Sequence, residues 1–188
     1  MKATCIAGSP RPNGSTAYLI DTIIRGMNHA GVETVKYCIA DSNIHYCVGC
    51  KKCYTDGKCF QNDGVYQIVS DIVSSDYVVI AAPSYWAYLP GQLKVFFDRS
   101  TPYGDTNANR ILTPSKAIKG IAIAVRAGVR EAENELILDA IQHYYGHLGI
   151  ETKKRISICE TDTLEDLLSK HKDRVDEIYK LGAGIAKL

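Results

Sequence analysis

A chain of 188 residues with 46% hydrophobic content can bury one core and calls for no second domain. Its 22 basic and 21 acidic side chains leave a formal net charge of +1 without a basic block or stripe, which argues against nucleic acid as a partner. No segment approaches about 18 uninterrupted apolar residues and the start, Met1 to Gly8, shows no apolar leader, so the expectation is a soluble cytoplasmic protein with no membrane partner.

Residues 2–7 are apolar and partly β-branched and end at Gly8, which predicts a buried strand. Residues 15–30 follow with Leu19, Ile20, Ile23, Ile24 and Met27 at helical spacing, and Gly31 ends that helix. Glu33 to Ile39 reads as a second strand, a cysteine-rich loop fills about 45–60, and Val65, Ile68, Val69, Ile72 and Val73 mark the next helix. Tyr77 to Ala82 is apolar throughout, as a strand covered on both faces should be, and Pro83 stops it. A helix near 90–100, a polar stretch through 114, a strand at Lys119–Val125, a helix at Glu131–His147 and a strand near Thr152–Ile158 come next. The last helix is expected from about Thr163 to Leu181, with Asp162 and Glu165 as its capping box.

Five strands alternating with helices imply a doubly wound parallel sheet in three α/β/α layers, with strand order 2-1-3-4-5, as one domain over 1–188. Ligands of such sheets bind beyond the carboxyl ends of the strands where the winding reverses, here between the strands ending at Ala7 and Ala82.

Both of those strands lead into unusual loops. Gly8-Ser9-Pro10-Arg11-Pro12-Asn13-Gly14-Ser15-Thr16 sets hydroxyls, an amide and a guanidinium at a helix start, where free N–H groups and the positive dipole end attract an anion. It is neither a dinucleotide fingerprint nor a Walker A loop, so a single terminal phosphate fits better than a triphosphate. The competing reading is an ordinary capped turn with Ser15 or Thr16 as N-cap. Pro83-Ser84-Tyr85-Trp86-Ala87-Tyr88-Leu89-Pro90-Gly91 holds the only tryptophan and could flank a flat heterocycle, or act as an aromatic plug between helices. Val125-Arg126-Ala127-Gly128 brings a third loop to the same edge.

Four of the seven cysteines, Cys47, Cys50, Cys53 and Cys59, stand within thirteen residues as C-x2-C-x2-C-x5-C. Gly49 and Gly57 let the backbone curl there, and Lys51, Lys52 and Lys58 offset negative charge. Such a set suits a cubane 4Fe-4S cluster; bare thiols or zinc are the alternatives. Cys5, Cys38 and Cys159 fall singly on predicted strands and read as small buried apolar groups. His143 and His147 have a metal-capable spacing but lack the zincin pattern, and read as a helix-end or solvent-facing pair. Asp98-Arg99 reads as a local ion pair or helix-end contact as readily as a contact to a bound ligand.

Taken together, Gly8-Ser9-Pro10-Arg11 with Gly14-Ser15-Thr16, the cysteine cluster, Pro83-Ser84-Tyr85-Trp86, and Leu93-Lys94-Val95-Phe96-Phe97-Asp98-Arg99 resemble the NADPH-dependent FMN reductase superfamily, and within it the iron-sulfur flavoproteins, over roughly residues 1–160. The resemblance implies a flavodoxin-like fold, FMN at the switch point and a 4Fe-4S cluster on the four cysteines. It places Ser9, Arg11, Asn13, Gly14, Ser15 and Thr16 at the FMN phosphate and Pro83, Ser84, Tyr85 and Trp86 along the ribityl chain and ring; the third loop's position after its strand adds Arg126 and Gly128 to the expected cofactor pocket. It further implies a homodimer or homotetramer in which one subunit's cluster approaches another's flavin, with ferredoxin or NAD(P)H as electron donor and a small-molecule or protein acceptor. No protein side chain is singled out as catalytic, since the flavin carries the chemistry. A plain NAD(P)H-dependent FMN or quinone reductase with an empty cysteine loop, and a non-catalytic flavin electron carrier, are the competing readings.

Overall fold

The computed structural model describes all 188 residues. Five strands, β1 (Lys2–Ala7), β2 (Glu33–Cys38), β3 (Tyr77–Pro83), β4 (Ile118–Val125) and β5 (Ile150–Ile158), form one parallel sheet in the order β2-β1-β3-β4-β5. That is the doubly wound order the alternating pattern predicts and the flavodoxin-like fold the resemblance implies. β1 and β3 pair from Ala3 with Tyr77 to Ala7 with Ala81, so the two strands finish side by side at the point where the winding reverses.

The helices are α1 (Ser15–His29), α2 (Cys53–Asp56), α3 (Val65–Ser74), α4 (Gly91–Arg99), α5 (Glu131–His147), α6 (Leu164–Lys170) and α7 (Lys172–Ala183). Parallel neighbours need crossovers, and these cover both faces of the sheet. One apolar layer joins α3, α4 and α5 to Ile6, Val78, Ile80 and Ala122; the other joins α1, α6 and α7 to Ala3, Cys5, Val79, Ile121 and Ile123. On β3 alternate residues serve opposite layers, which is why the whole strand is apolar.

Three details differ from expectation. The last helical stretch is two helices, because His171 leaves helical geometry at φ −129° and ψ 35°. The capping box is Thr163 with Asp166 rather than Asp162 with Glu165: Thr163 has the extended backbone an N-cap needs, and its hydroxyl accepts from Asp166 N at 3.1 Å. β5 starts two residues early, at Ile150, because it pairs there with Ile118 at the start of β4; a register irregularity follows at Gly120/Ile121.

Candidate functional site

The three loops predicted to meet do meet. Ser9, Arg11, Gly14, Ser15 and Thr16 from the first, Pro83, Ser84 and Tyr85 from the second, and Arg126 from the third line one cavity of about 80 Å³ at the carboxyl edge of the sheet. Backbone hydrogen bonds set the spacing: Gly8 N donates to Ala81 O at 2.8 Å, and Ser84 N to Val125 O at 2.7 Å. Asn13, Trp86 and Gly128 do not line this cavity, whereas Thr161 and Asp162, after β5, do. The sequence did not point to either as a cavity residue, Asp162 being read only as a helix cap, since neither lies in a loop with an unusual composition.

The first loop has the chemistry that an anion would need. α1 begins at the N-cap Gly14 with no side-chain cap and no acidic residue in its first turn, so its leading N–H groups and dipole are uncompensated. Neither Ser15 nor Thr16 is the N-cap; the Ser15 hydroxyl donates to Thr163 O at 2.9 Å instead. Ser9, Ser15 and Thr16 are buried around this helix start, and Ser9 Oγ accepts from Arg11 N at 3.1 Å. The Arg11 side chain is exposed, with only a 3.5 Å contact to Asp162 O. Arg126 is already engaged: its guanidinium pairs with Glu133 and donates to Arg130 O at 2.9 Å.

In the second loop Tyr85 and Tyr88 exchange backbone hydrogen bonds of 2.9 and 3.0 Å around a two-residue turn. Trp86 and Ala87 both have positive φ, 52° and 59°, as that tight turn demands but as non-glycine residues rarely adopt. Trp86 is therefore held fully exposed at the tip rather than as a plug between helices.

The four cluster cysteines also share a cavity. Cys47, Cys50, Cys53 and Cys59 line a space of about 200 Å³ together with Phe60 and the carboxyl end of α4. The loop is not free-standing: Cys53 opens the short α2, Asn107 Nδ2 donates to Cys53 O at 3.0 Å, and Gly57 passes so near Asn109 that a Cβ would lie 2.0 Å from its carbonyl oxygen. Gly57 also has φ +70°, so both its freedom and its smallness are used.

Arg99 holds the other side. Its side chain is 1% exposed and that of its partner Asp63 5%. Nη1 donates to Asp63 Oδ2 and to His45 O, each at 2.7 Å, and to Gln61 Oε1 at 3.2 Å; Nη2 reaches Asp63 Oδ1 at 3.1 Å. Asp98 does not take part, pairing instead with Lys94 on the exposed face of α4. The local Asp98-Arg99 contact expected from sequence is thus replaced by a buried long-range pair that ties α4 to both flanks of the cysteine loop.

Electrostatics mark the same region. Burial and then the negative charge of Cys59, Cys50 and Cys47 push the Cys53 thiol up. Burial and then Cys59 push the Tyr103 hydroxyl up to about 12. A thiol raised in this way by its neighbours' charge belongs to a donor set that a cationic metal core would relieve. The side chains do not themselves converge: no group of three or more His, Cys, Asp or Glu residues is arranged to hold a metal ion.

Elsewhere, His147 Nδ1 lies 2.6 Å from an Asp105 oxygen and its Nε2 3.1 Å from His143 Nε2, so this pair is a hydrogen-bonded surface chain beside the 600 Å³ groove between α4 and α5. Cys5 is buried on β1, as expected of a small apolar group, and burial pushes its thiol up to about 12. Cys159 lies one residue past β5, its Sγ 3.3 Å from a Glu131 oxygen. No helix is long and apolar enough to cross a membrane.

Residues 1–150 match the NADPH-dependent FMN reductase family. The chain belongs to this family of flavin-dependent oxidoreductases. It is 35% identical over 133 residues to an iron-sulfur flavoprotein of Archaeoglobus fulgidus, covering 71% of this chain and 58% of that one. It is 32% identical over 145 residues to an iron-sulfur flavoprotein of Methanocaldococcus jannaschii, covering 77% and 72%. Among solved structures it is similar to an NAD(P)H:quinone oxidoreductase from Methanothermobacter marburgensis, with a TM-score of 0.76, 13% identity, and 98% and 96% of the two chains covered. An archaeal flavodoxin gives a TM-score of 0.59 at 14% identity, with 100% and 97% covered. The structural likenesses establish the fold; family membership supports FMN as the cofactor.

Proposed function

We propose that residues 1–188 are one flavodoxin-like domain that passes electrons between a reduced donor, NAD(P)H or ferredoxin, and a small-molecule or protein acceptor by way of FMN and a 4Fe-4S cluster. The observation that carries this reading is the position of α4. It begins directly after the loop that lines the switch-point cavity and ends against the cavity shared by the four cysteines. Nine residues of helix span about 13 Å, so the two sites are neighbours joined by one rigid element.

In this reading the uncapped start of α1, the Ser9, Ser15 and Thr16 hydroxyls and Arg11 hold the FMN phosphate, with Asn13 and Gly14 in the same turn. Pro83, Ser84 and Tyr85 border the ribityl chain and ring. Trp86, exposed at the loop tip outside the cavity, would cover the ring from solvent, and Arg126 would line the pocket, with Gly128 in the adjoining turn. Cys47, Cys50, Cys53 and Cys59 hold the cluster. Bound FMN accepts a hydride as a pair and releases electrons singly, and a cubane cluster carries them one at a time. The chain's own residues bind and orient these groups and screen the inner thiols from water. The exposed, lysine-bearing cysteine loop is the surface that a second subunit would meet in a homodimer or homotetramer.

An ultraviolet–visible spectrum of anaerobically purified protein, with iron and acid-labile sulfide assays, tests the reading. Flavin bands over a broad shoulder, with about four irons and four sulfides per chain, are expected for the cubane. A flavin spectrum without iron, together with steady NAD(P)H oxidation, would replace it with a plain FMN or quinone reductase. A colourless protein that refuses added FMN would sink it.

A further inference from the structure

Arg99 carries an unexplained feature. Nη1 donates to Asp63, His45 and Gln61 and Nη2 to Asp63, but Nε is enclosed within the protein and has no hydrogen-bond partner. An enclosed N–H on a cation is costly unless some group accepts from it. Arg99 lines the cavity of the four cysteines, and Asp63 and Cys59 are the groups whose negative charge acts on the guanidinium. A neutral thiol is a poor acceptor, whereas a thiolate bound to a metal is a good one.

We propose that Arg99 is a positioning residue for the metal centre: its terminal nitrogens clamp the two flanks of the cysteine loop, and its Nε–H is reserved for the metal-bound sulfur of Cys59. Cys59 would be the outlying ligand, separated by five residues from the compact C-x2-C-x2-C run, so it is the one that needs holding from outside. The inference rests on the cluster reading under Proposed function. It assigns Arg99 two consequences there: tighter metal binding by the cage and a higher reduction potential, since a cation and an N–H donor beside sulfur favour the more negative reduced state.

Arg99→Lys keeps a cation to pair with Asp63 but has no Nε–H in that position; Arg99→Gln removes the charge as well. For each, three quantities are compared with the parent protein: cobalt(II) affinity of the reduced apoprotein, read from thiolate-to-metal charge-transfer absorption, iron and sulfide content after anaerobic reconstitution, and cluster midpoint potential by EPR-monitored titration. FMN binding serves as the control for folding. The expected result is FMN binding like the parent's, cobalt(II) affinity about 10- to 100-fold weaker, and a lower midpoint potential in whatever cluster forms. A double-mutant cycle with Cys59→Ser separates the sulfur contact from simple loop anchoring: the effect of Arg99→Lys on cobalt(II) affinity should vanish when Cys59 is gone. Parent-like affinity and potential in Arg99→Lys, or an effect that persists undiminished in the Cys59→Ser background, overturns the inference. Should the parent protein take up no iron and sulfide, the cluster reading fails, while the cobalt(II) cycle still decides the role of Arg99.

Discussion

Replacing Asp63 by Asn should destabilise the protein by about 3 kcal/mol, because removing one partner of a buried ion pair leaves the other charge uncompensated. The geometry puts Asp63 in that class. Both side chains are almost completely enclosed, Asp63 accepts from Arg99 at 2.7 and 3.1 Å, and it also accepts from His45 N at 3.2 Å and Val65 N at 3.3 Å. Asn keeps the size and one acceptor oxygen but cannot match the guanidinium fork or its charge. The pair of Lys94 and Asp98 on the same helix is the control: both side chains are nearly half exposed, so Lys94→Ala should cost only about 0.3–0.5 kcal/mol. Urea titrations of the three proteins give the difference from the midpoint at unchanged slope, and about 6–12 °C in melting temperature is expected for Asp63→Asn in a chain of this size. Faster amide exchange at residues 45–61 should accompany it, since the loop loses its tie to α4. If Asp63→Asn lies within about 1 kcal/mol of the parent, the pair is not the anchor described here.

Arg11→Ala should weaken FMN binding about tenfold or more, the scale of a hydrogen bond to a charged group, while leaving riboflavin binding unchanged; fluorescence quenching with both ligands separates a phosphate contact from a ring contact. Gly26→Ala should cost about 1–3 kcal/mol in a urea titration, because a Cβ there would lie 2.3 Å from Tyr179 O and force α1 away from α7, whereas Gly91→Ala, with open space around it, should not destabilise. For pH, the hydrogen bond from Lys170, with those from the Thr163 cap, holds the Asp166 carboxyl at about 2 against an ordinary 3.8. A depressed carboxyl stabilises above its unfolded value and loses that contribution as the pH falls through the folded one. The stability gap between the parent and Asp166→Asn should therefore be constant above about pH 5 and close between about pH 4 and pH 2, as followed by circular dichroism. A gap that widens on acidification would reverse the assignment.

What could be read from the chain was what short-range pattern encodes. β3 announces itself because residues 77–82 are apolar on both faces, and the strand order follows from parallel crossovers once five strands are counted. The first loop could be placed because its hydroxyls and Arg11 sit at a helix start, where the backbone itself supplies the anion site. The break at His171 was hidden, since Leu167 on one side and Val175 and Ile178 on the other keep a continuous apolar face across it. The capping box slipped by one residue because Asp162 and Thr163 are both good N-caps, and only the backbone conformation chooses between them.

The pairing of Arg99 with Asp63 was out of reach for a different reason. The partners are 36 residues apart, and Asp98 beside Arg99 offers a nearer carboxylate with a ready local explanation. Helix geometry excludes that explanation. Asp98 lies one turn beyond Lys94 on the exposed face of α4, and Arg99 is turned toward the buried face, so adjacent residues answer to different neighbours. An arginine at such a position cannot reach water and must find its anion inside, and Asp63 is the only carboxylate it reaches. The cysteine loop is thus held by a charge on α4, the helix that follows the loop lining the switch-point cavity, so a change in one site should reach the other through that element. Exchange protection of residues 45–61 should therefore rise when FMN is added to the apoprotein, and fail to rise in Asp63→Asn; equal responses in the two proteins would show that the helix does not couple them.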